Sequence, residues 1–165
     1  MSHFMEERKK RTKLSKEDAL SLMQKHCAYQ DRCQSEIRTR LIEHSVYGDA
    51  LEEIIADLIS DDFINEERFA KSYVRGKFRI KKWGKIKIIN ELKFRKISSY
   101  SINKALKQID YDEYLDTLNA LIVKKSRTIT SKDKWERRKK LTAFATQKGY
   151  EYDVIKEVLS DGNFE

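Results

Sequence analysis

Three sets of apolar residues follow one another along the chain at nearly constant spacing. The sets are Leu41, Leu51 and Ile55; Leu92, Ile102 and Leu106; and Phe144, Val154 and Val158. In each set the second and third residues follow the first after 10 and 14 positions, and the first residues lie 51 and 52 positions apart. Self-similarity at a fixed period of this length is typical of repeat architectures. We therefore predict three tandem units.

The spacing within each unit is that of an amphipathic helix. Apolar side chains recur at i, i+3, i+4 and i+7, as in Leu51, Ile54, Ile55 and Leu58. The chain has no proline and only five glycines, so few positions break a helix. We predict an all-α fold of three tandem three-helix repeats. Such repeats contact mainly their neighbours, so we expect an elongated, curved helical protein.

Turn and cap residues set the predicted boundaries. We predict a flexible basic tail at residues 1–14 and repeats at residues 15–62, 63–110 and 111–165. Ser15, Asp49 and Asn65 are predicted to cap the helices that follow them, because their side-chain oxygens accept hydrogen bonds from free backbone N–H groups. Gly149 is predicted to end a helix, because glycine adopts the left-handed conformation at low cost.

The charge of the chain is divided unevenly. Residues 1–75 hold 13 Lys and Arg against 15 Asp and Glu, whereas residues 76–148 hold 21 against 7. Residues 49–67 carry eight acidic side chains and no basic one. A strongly basic half indicates an anionic partner, which can be a nucleic acid or an acidic protein surface.

Signals for catalysis and metal binding are missing from the sequence. The glycines form no phosphate-binding loop, and there is neither a GxSxG nor an HExxH motif. We considered His26, Cys27, Cys33 and His44 as zinc ligands. His26 and Cys27 are adjacent, so on a helix they diverge by about 100° and do not converge on one ion. We predict no catalytic residue, no metal site, no cofactor and no small-molecule substrate.

The sequence also bears on location. No apolar run reaches the roughly 18 residues that a membrane helix needs, and the N-terminus lacks the apolar core of a signal peptide. We therefore expect a cytoplasmic protein without membrane contact, whose two cysteines stay reduced. A monomer is the expected state.

Basic residues interleaved with aromatic ones form two clusters. The candidate partner-binding residues are Arg75, Lys77, Arg79, Lys82, Trp83, Lys85, Lys87, Lys93 and Arg95 in the first cluster, and Lys134, Arg137, Arg138 and Lys139 in the second. Cationic side chains suit phosphate contacts, and planar rings suit base or cation stacking. The alternative is that the rings belong to the core and the cations only solvate helices. The clusters do not by themselves distinguish a nucleic acid from a protein partner.

Three segments resemble the bacterial RecX family of regulators. The most specific lies in the second unit, where Asn65 precedes Phe69-Ala70 and Tyr73-Val74, with Glu91-Leu92 further on. The segments at residues 32–41 and 140–155, the latter including Gly149, are similar to the family's first and third units. Cys33 and Asp62 depart from the pattern, where Ser and Gly are usual.

The resemblance implies a fold and a function. RecX proteins consist of three tandem three-helix units and need no cofactor. They bind a RecA-type recombinase on its single-stranded DNA filament and limit strand exchange, ATP turnover and coprotease activity, which affects DNA repair and the SOS response. The alternative is a helical-repeat module that binds DNA directly, for which affinity should fall steeply with salt.

Overall fold

The structure is a computed structural model that describes residues 14–162. Over this range the chain forms nine α-helices and no strand, which confirms the all-α prediction. The helices are α1 (Lys16–Tyr29), α2 (Gln34–Glu43), α3 (Gly48–Ser60), α4 (Glu66–Arg79), α5 (Lys85–Phe94), α6 (Ser99–Leu106), α7 (Tyr111–Ser126), α8 (Lys134–Lys148) and α9 (Tyr152–Asp161). The chain divides into two compact units, Met1–Glu66 (unit 1) and Glu67–Glu165 (unit 2). The division into three repeats by residue boundary remains a prediction.

Unit 1 has a core built from α1, α2 and α3. The buried side chains are Ala19, Met23, Cys27, Ile37, Leu41, Val46, Leu51, Ile54, Ile55, Leu58 and Ile64. Leu14, predicted as the last residue of a flexible tail, packs against this core. Residues 1–13 of that predicted tail lie outside the described residues. Cys27 and Cys33 are buried free thiols.

A turn at the end of α2, α5 and α8 recurs with the same geometry. Ser45, Lys96 and Gly149 each adopt a left-handed conformation, with φ of 61°, 61° and 95°. The residue after each is buried, and its N–H donates to the carbonyl five positions earlier, as from Val46 to Leu41 at 3.0 Å. The other two pairs are Ile97 with Leu92 at 3.1 Å and Tyr150 with Ala145 at 3.2 Å. Aligning the three predicted repeats on this turn shows which residue of one repeat corresponds to which residue of the others.

The shared turn corrects the predicted register of the third repeat. Ala145, not Phe144, corresponds to Leu41 and Leu92, so the intervals are 51 and 53 residues. Ala145 is fully buried, and Ile155 and Leu159 follow it after 10 and 14 positions in buried sites. Phe144 is half-buried, with the ammonium groups of Lys125 and Lys148 over its ring. Sequence spacing alone favoured Phe144 because it is the larger apolar residue.

The predicted caps have different outcomes. The Ser15 hydroxyl accepts from the N–H of Asp18 at 3.1 Å, as predicted, and Gly149 ends α8. The prediction for Asp49 is wrong, because α3 already begins at Gly48 and Asp49 lies in its first turn, where a carboxylate is favourable next to the helix dipole. Asn65 directly precedes α4, and its amide donates to the Asp62 carboxylate at 3.0 Å.

Between residues 14 and 162, no helix has the length and apolar character needed to span a membrane. In the same range, no three His, Cys, Asp or Glu side chains are grouped as metal ligands.

His26 in α1 makes unit 1 sensitive to acid. Burial lowers the pKa of His26, and the nearby positive charges of Arg32 and Arg40 add to the effect. The folded chain therefore binds the proton less readily than the unfolded chain, so stability is full at pH values above the unfolded pKa and falls as the pH drops below it. We expect the free energy of unfolding to fall more in the wild type than in His26→Gln between about pH 8 and about pH 5.5. Urea titrations followed by circular dichroism would measure this, and equal losses would contradict it.

Candidate partner-binding surface

The first basic cluster is anchored where the α4–α5 turn meets the α8–α9 turn within unit 2. The N–H of Gly84 donates to the carbonyl of Lys148 at 2.9 Å, and the N–H of Ile86 donates to that of Gly149 at 3.0 Å. The Tyr150 hydroxyl donates to the carbonyl of Lys82 at 3.1 Å. These bonds satisfy backbone groups at the start of α5, which would otherwise lack partners. They fix the segment that carries Lys82, Trp83, Lys85 and Lys87.

The two turns approach so closely that neither has room for a side chain at the contact. A Cβ on Gly84 would lie 2.3 Å from the carbonyl carbon of Gly149. A Cβ on Gly149 would lie 2.3 Å from the Cβ of Lys87, and Gly149 also has a positive φ. We call this contact the glycine junction.

Tyr114 of α7 connects the glycine junction to the core of unit 2. Its hydroxyl accepts from the N–H of Lys85 at 2.8 Å and donates to the Glu151 carboxylate at 2.6 Å. Its ring stacks on Tyr150 with 4.9 Å between centroids and meets Phe78 at 5.8 Å. Burial raises the pKa of both tyrosines, so the Tyr114 hydroxyl keeps the proton that it donates.

Removing the Tyr114 hydroxyl should loosen the start of α5. In Tyr114→Phe the Lys85 N–H loses its acceptor and Glu151 loses a donor, and we expect unfolding free energy to fall by about 1–3 kcal/mol. Tyr111→Phe is the matched control, because the Tyr111 hydroxyl also donates to a carboxylate, at 2.7 Å to Glu157, but is exposed. There we expect a change within about 0.5 kcal/mol. Urea unfolding followed by tryptophan fluorescence measures both, and equal effects would contradict the role of Tyr114.

Cations and rings alternate across α4, the α4–α5 turn and α5. The Lys77 ammonium lies 5.1 Å from the Tyr73 ring centroid and 4.8 Å from that of Trp83. On the same rings, Lys87 lies 4.6 Å from Trp83 and Arg95 lies 5.0 Å from Tyr73. We call these five residues the cation–ring row. Cation–π contacts hold long side chains in place, so three positive charges are pre-positioned here.

The other members of the first cluster surround this row in different environments. Arg75, Lys82 and Lys93 are exposed to solvent. The Lys85 ammonium lies 4.7 Å from the Tyr114 ring centroid, and Arg79 lies 3.7 Å from the Glu113 carboxylate. Surface ion pairs of this kind contribute little to stability, so Arg79 can exchange this partner for another anion at small cost.

The second cluster lies on the first turns of α8, and its four predicted residues separate into two kinds. Lys134, Arg138 and Lys139 are exposed. Arg137 is half-buried, and its guanidinium donates to the carbonyls of Ile129 at 2.9 Å and of Ser126 and Ser131 at 3.3 Å. These hydrogen bonds stabilise the connection between α7 and α8. Arg137 therefore has a structural role and is not among the proposed contact residues.

The residues of the family-like motif are buried or make contacts within the chain. Phe69, Ala70, Val74 and Leu92 are buried, and Tyr73 belongs to the cation–ring row. Glu91 pairs with Arg95 at 2.7 Å, and Gly149 forms half of the glycine junction. The sequence placed Gly84 and Tyr150 in segments that resemble the family and Tyr114 in an apolar stripe, but it did not predict the contacts that these three residues make.

Comparisons with known proteins match unit 2 most directly. Residues 65–106 match the family model for the second three-helix domain of RecX, and residues 112–159 match that for the third. Together the two models cover more than half of the chain.

Individual relatives extend the match over most of the chain. This chain is 29% identical over 164 residues to a regulatory protein RecX of Clostridium acetobutylicum, and the match covers 90% of this chain and 71% of that protein. It is 25% identical over 146 residues to one of Chlorobium limicola, covering 88% and 90%. A crystal structure of regulatory protein RecX is similar with a TM-score of 0.81 at 25% identity, covering 88% of this chain and 73% of that one.

Proposed function

Because this chain belongs to the RecX family of regulatory proteins, we propose that it binds a RecA-type recombinase on its single-stranded DNA filament and inhibits its activity. The proposal rests on one observation. The part of the chain that matches the second and third three-helix domains of RecX also carries the pre-positioned cations. Inhibition would extend to strand exchange, ATP hydrolysis and coprotease activity, because all three require the filament. It would thereby affect recombination, DNA repair and the SOS response.

Physical arguments support a filament as partner. A filament presents the same site at regular intervals, so units of one chain can engage neighbouring protomers and gain from a high effective concentration. The basic surface of unit 2 is attracted to DNA phosphates or acidic protein side chains, which favours encounter. Residues 49–67, rich in carboxylates, would repel DNA, so unit 1 is expected to contact protein.

ATP hydrolysis by a RecA-type recombinase on single-stranded DNA, titrated with this protein, tests the proposal. We expect inhibition at protein concentrations below that of the recombinase, because a regulator that blocks filament growth acts on filament ends or at intervals. Binding of this protein alone to the same DNA is measured in the same buffer. Unchanged hydrolysis together with tight, salt-sensitive DNA binding would contradict the proposal and favour a nucleic-acid-binding module.

A further inference from the structure

Helix α8 is longer than its counterparts in the other repeats. Helices α2 and α5 have 10 residues each, whereas α8 has 15. When the three helices are aligned on their shared C-terminal turn, residues 138–147 of α8 correspond to α2 and α5. Residues 134–137 form an additional N-terminal turn, which the repeat architecture does not require. This added turn carries Trp135.

Trp135 is set apart from the core by its exposure. Its side chain is 69% exposed, whereas Trp83 is half-buried between two lysines. The Lys139 ammonium, one helical turn on, lies 5.1 Å from the Trp135 ring centroid. Exposure alone does not indicate a ligand, since Phe94 is 84% exposed, but an exposed indole ring with a cation beside it can stack on a flat ligand.

The surroundings of Trp135 are cationic rather than apolar. Lys134, Arg138 and Lys139 are exposed around it. The two carboxylates nearby have intramolecular partners, since Asp133 accepts from the Trp135 N–H at 3.1 Å and Glu136 pairs with Lys140 at 2.6 Å. The Lys140 ammonium lowers the pKa of Glu136, so this pair stays charged at neutral pH.

We propose that Trp135 is a stacking site for an unpaired base of single-stranded DNA, with Arg138 and Lys139 contacting the phosphates beside that base. An aromatic ring among cations is the arrangement that binds single strands without sequence preference. An anchor for a protein partner would instead be surrounded by residues that exclude water. The proposal goes beyond the proposed function, because it concerns this chain alone and needs no recombinase.

Tryptophan fluorescence with an oligo(dT) strand tests the stacking. Because Trp83 lies in the cation–ring row and can also respond to bound DNA, Trp135 is followed in Trp83→Phe, where it is the remaining tryptophan. We expect oligo(dT) to quench the fluorescence of Trp83→Phe strongly and that of Trp135→Phe less. Anisotropy of the labelled strand should show that Trp135→Phe still binds within about threefold, whereas Trp135→Ala binds roughly fivefold or more weakly, because a phenyl ring stacks and a methyl group does not. An abasic strand with the same phosphates should bind weakly and quench little.

Tyr152→Ala is the matched control. Tyr152 is an equally exposed ring on α9, at 67%, but its chain neighbours are the acidic Glu151 and Asp153. We expect the Tyr152→Ala protein to bind oligo(dT) with the same affinity as the wild type. A duplex without unpaired bases should leave Trp135 fluorescence unchanged.

Two results would overturn the stacking site. Equal quenching by the abasic strand would show that phosphates alone account for the signal. Quenching by a recombinase without DNA, and none by oligo(dT), would show that Trp135 contacts protein. The proposed function is tested separately by ATP hydrolysis, and inhibition of hydrolysis by the wild type would uphold it with either of these results.

Discussion

Replacing Gly84 with alanine is expected to destabilise unit 2 by about 2–4 kcal/mol. The added Cβ would lie 2.3 Å from the carbonyl carbon and oxygen of Gly149 and 2.4 Å from the nitrogen of Tyr150. All three are backbone atoms, so no side-chain rotation relieves the clash. The turns must separate, which breaks the hydrogen bonds from Gly84 and Ile86. The φ of Gly84 is −75°, so the effect is steric and not conformational.

Gly76→Ala is the matched control for this prediction. Gly76 lies inside α4, and a Cβ there would meet nothing within 4 Å. Alanine should therefore raise the free energy of unfolding by about 0.5–1 kcal/mol, because glycine is the poorer helix former. Both tryptophans belong to unit 2, so urea unfolding followed by their fluorescence reports its stability. Similar effects of the two substitutions would contradict the close approach at Gly84.

The helices and most of their ends could be predicted because local patterns determine them. Ser15 caps α1 and Gly149 ends α8, and both features are readable from a few neighbouring residues. The register of the third repeat could not be read in this way. Ala145 takes the buried position because the shared turn places it there, whereas apolar spacing alone pointed to the larger Phe144.

The surface was predictable in composition but not in organisation. The sequence identified the cations of both clusters without distinguishing their environments. Arg137 donates to three carbonyls across the α7–α8 connection, whereas the adjacent Arg138 is exposed. Lys77 and Lys87 lie ten positions apart on different helices and meet at one ring. Such arrangements depend on tertiary packing, here on the contact between turns that are more than sixty residues apart in sequence.

Changing Lys77 and Lys87 together to glutamine is expected to raise the protein concentration needed for half-inhibition of recombinase ATP hydrolysis by about tenfold. Both ammonium groups are pre-positioned over Trp83, so little side-chain entropy is lost when an anion binds them. If both contact phosphates, the slope of log affinity against log salt should fall by about two. Titrations at several salt concentrations measure both quantities.

Lys107→Gln with Lys156→Gln is the control that separates position from net charge. These two lysines are exposed on unit 2 outside both clusters, and their replacement lowers the net charge by the same amount. If long-range attraction alone governed inhibition, the two double variants would weaken it equally. We expect the control to change the protein concentration for half-inhibition by less than about twofold. Charges far from the contact act mainly on the association rate, and salt screens them beyond about 10 Å. Equal losses would show that the cation–ring row has no special role, even with wild-type inhibition intact.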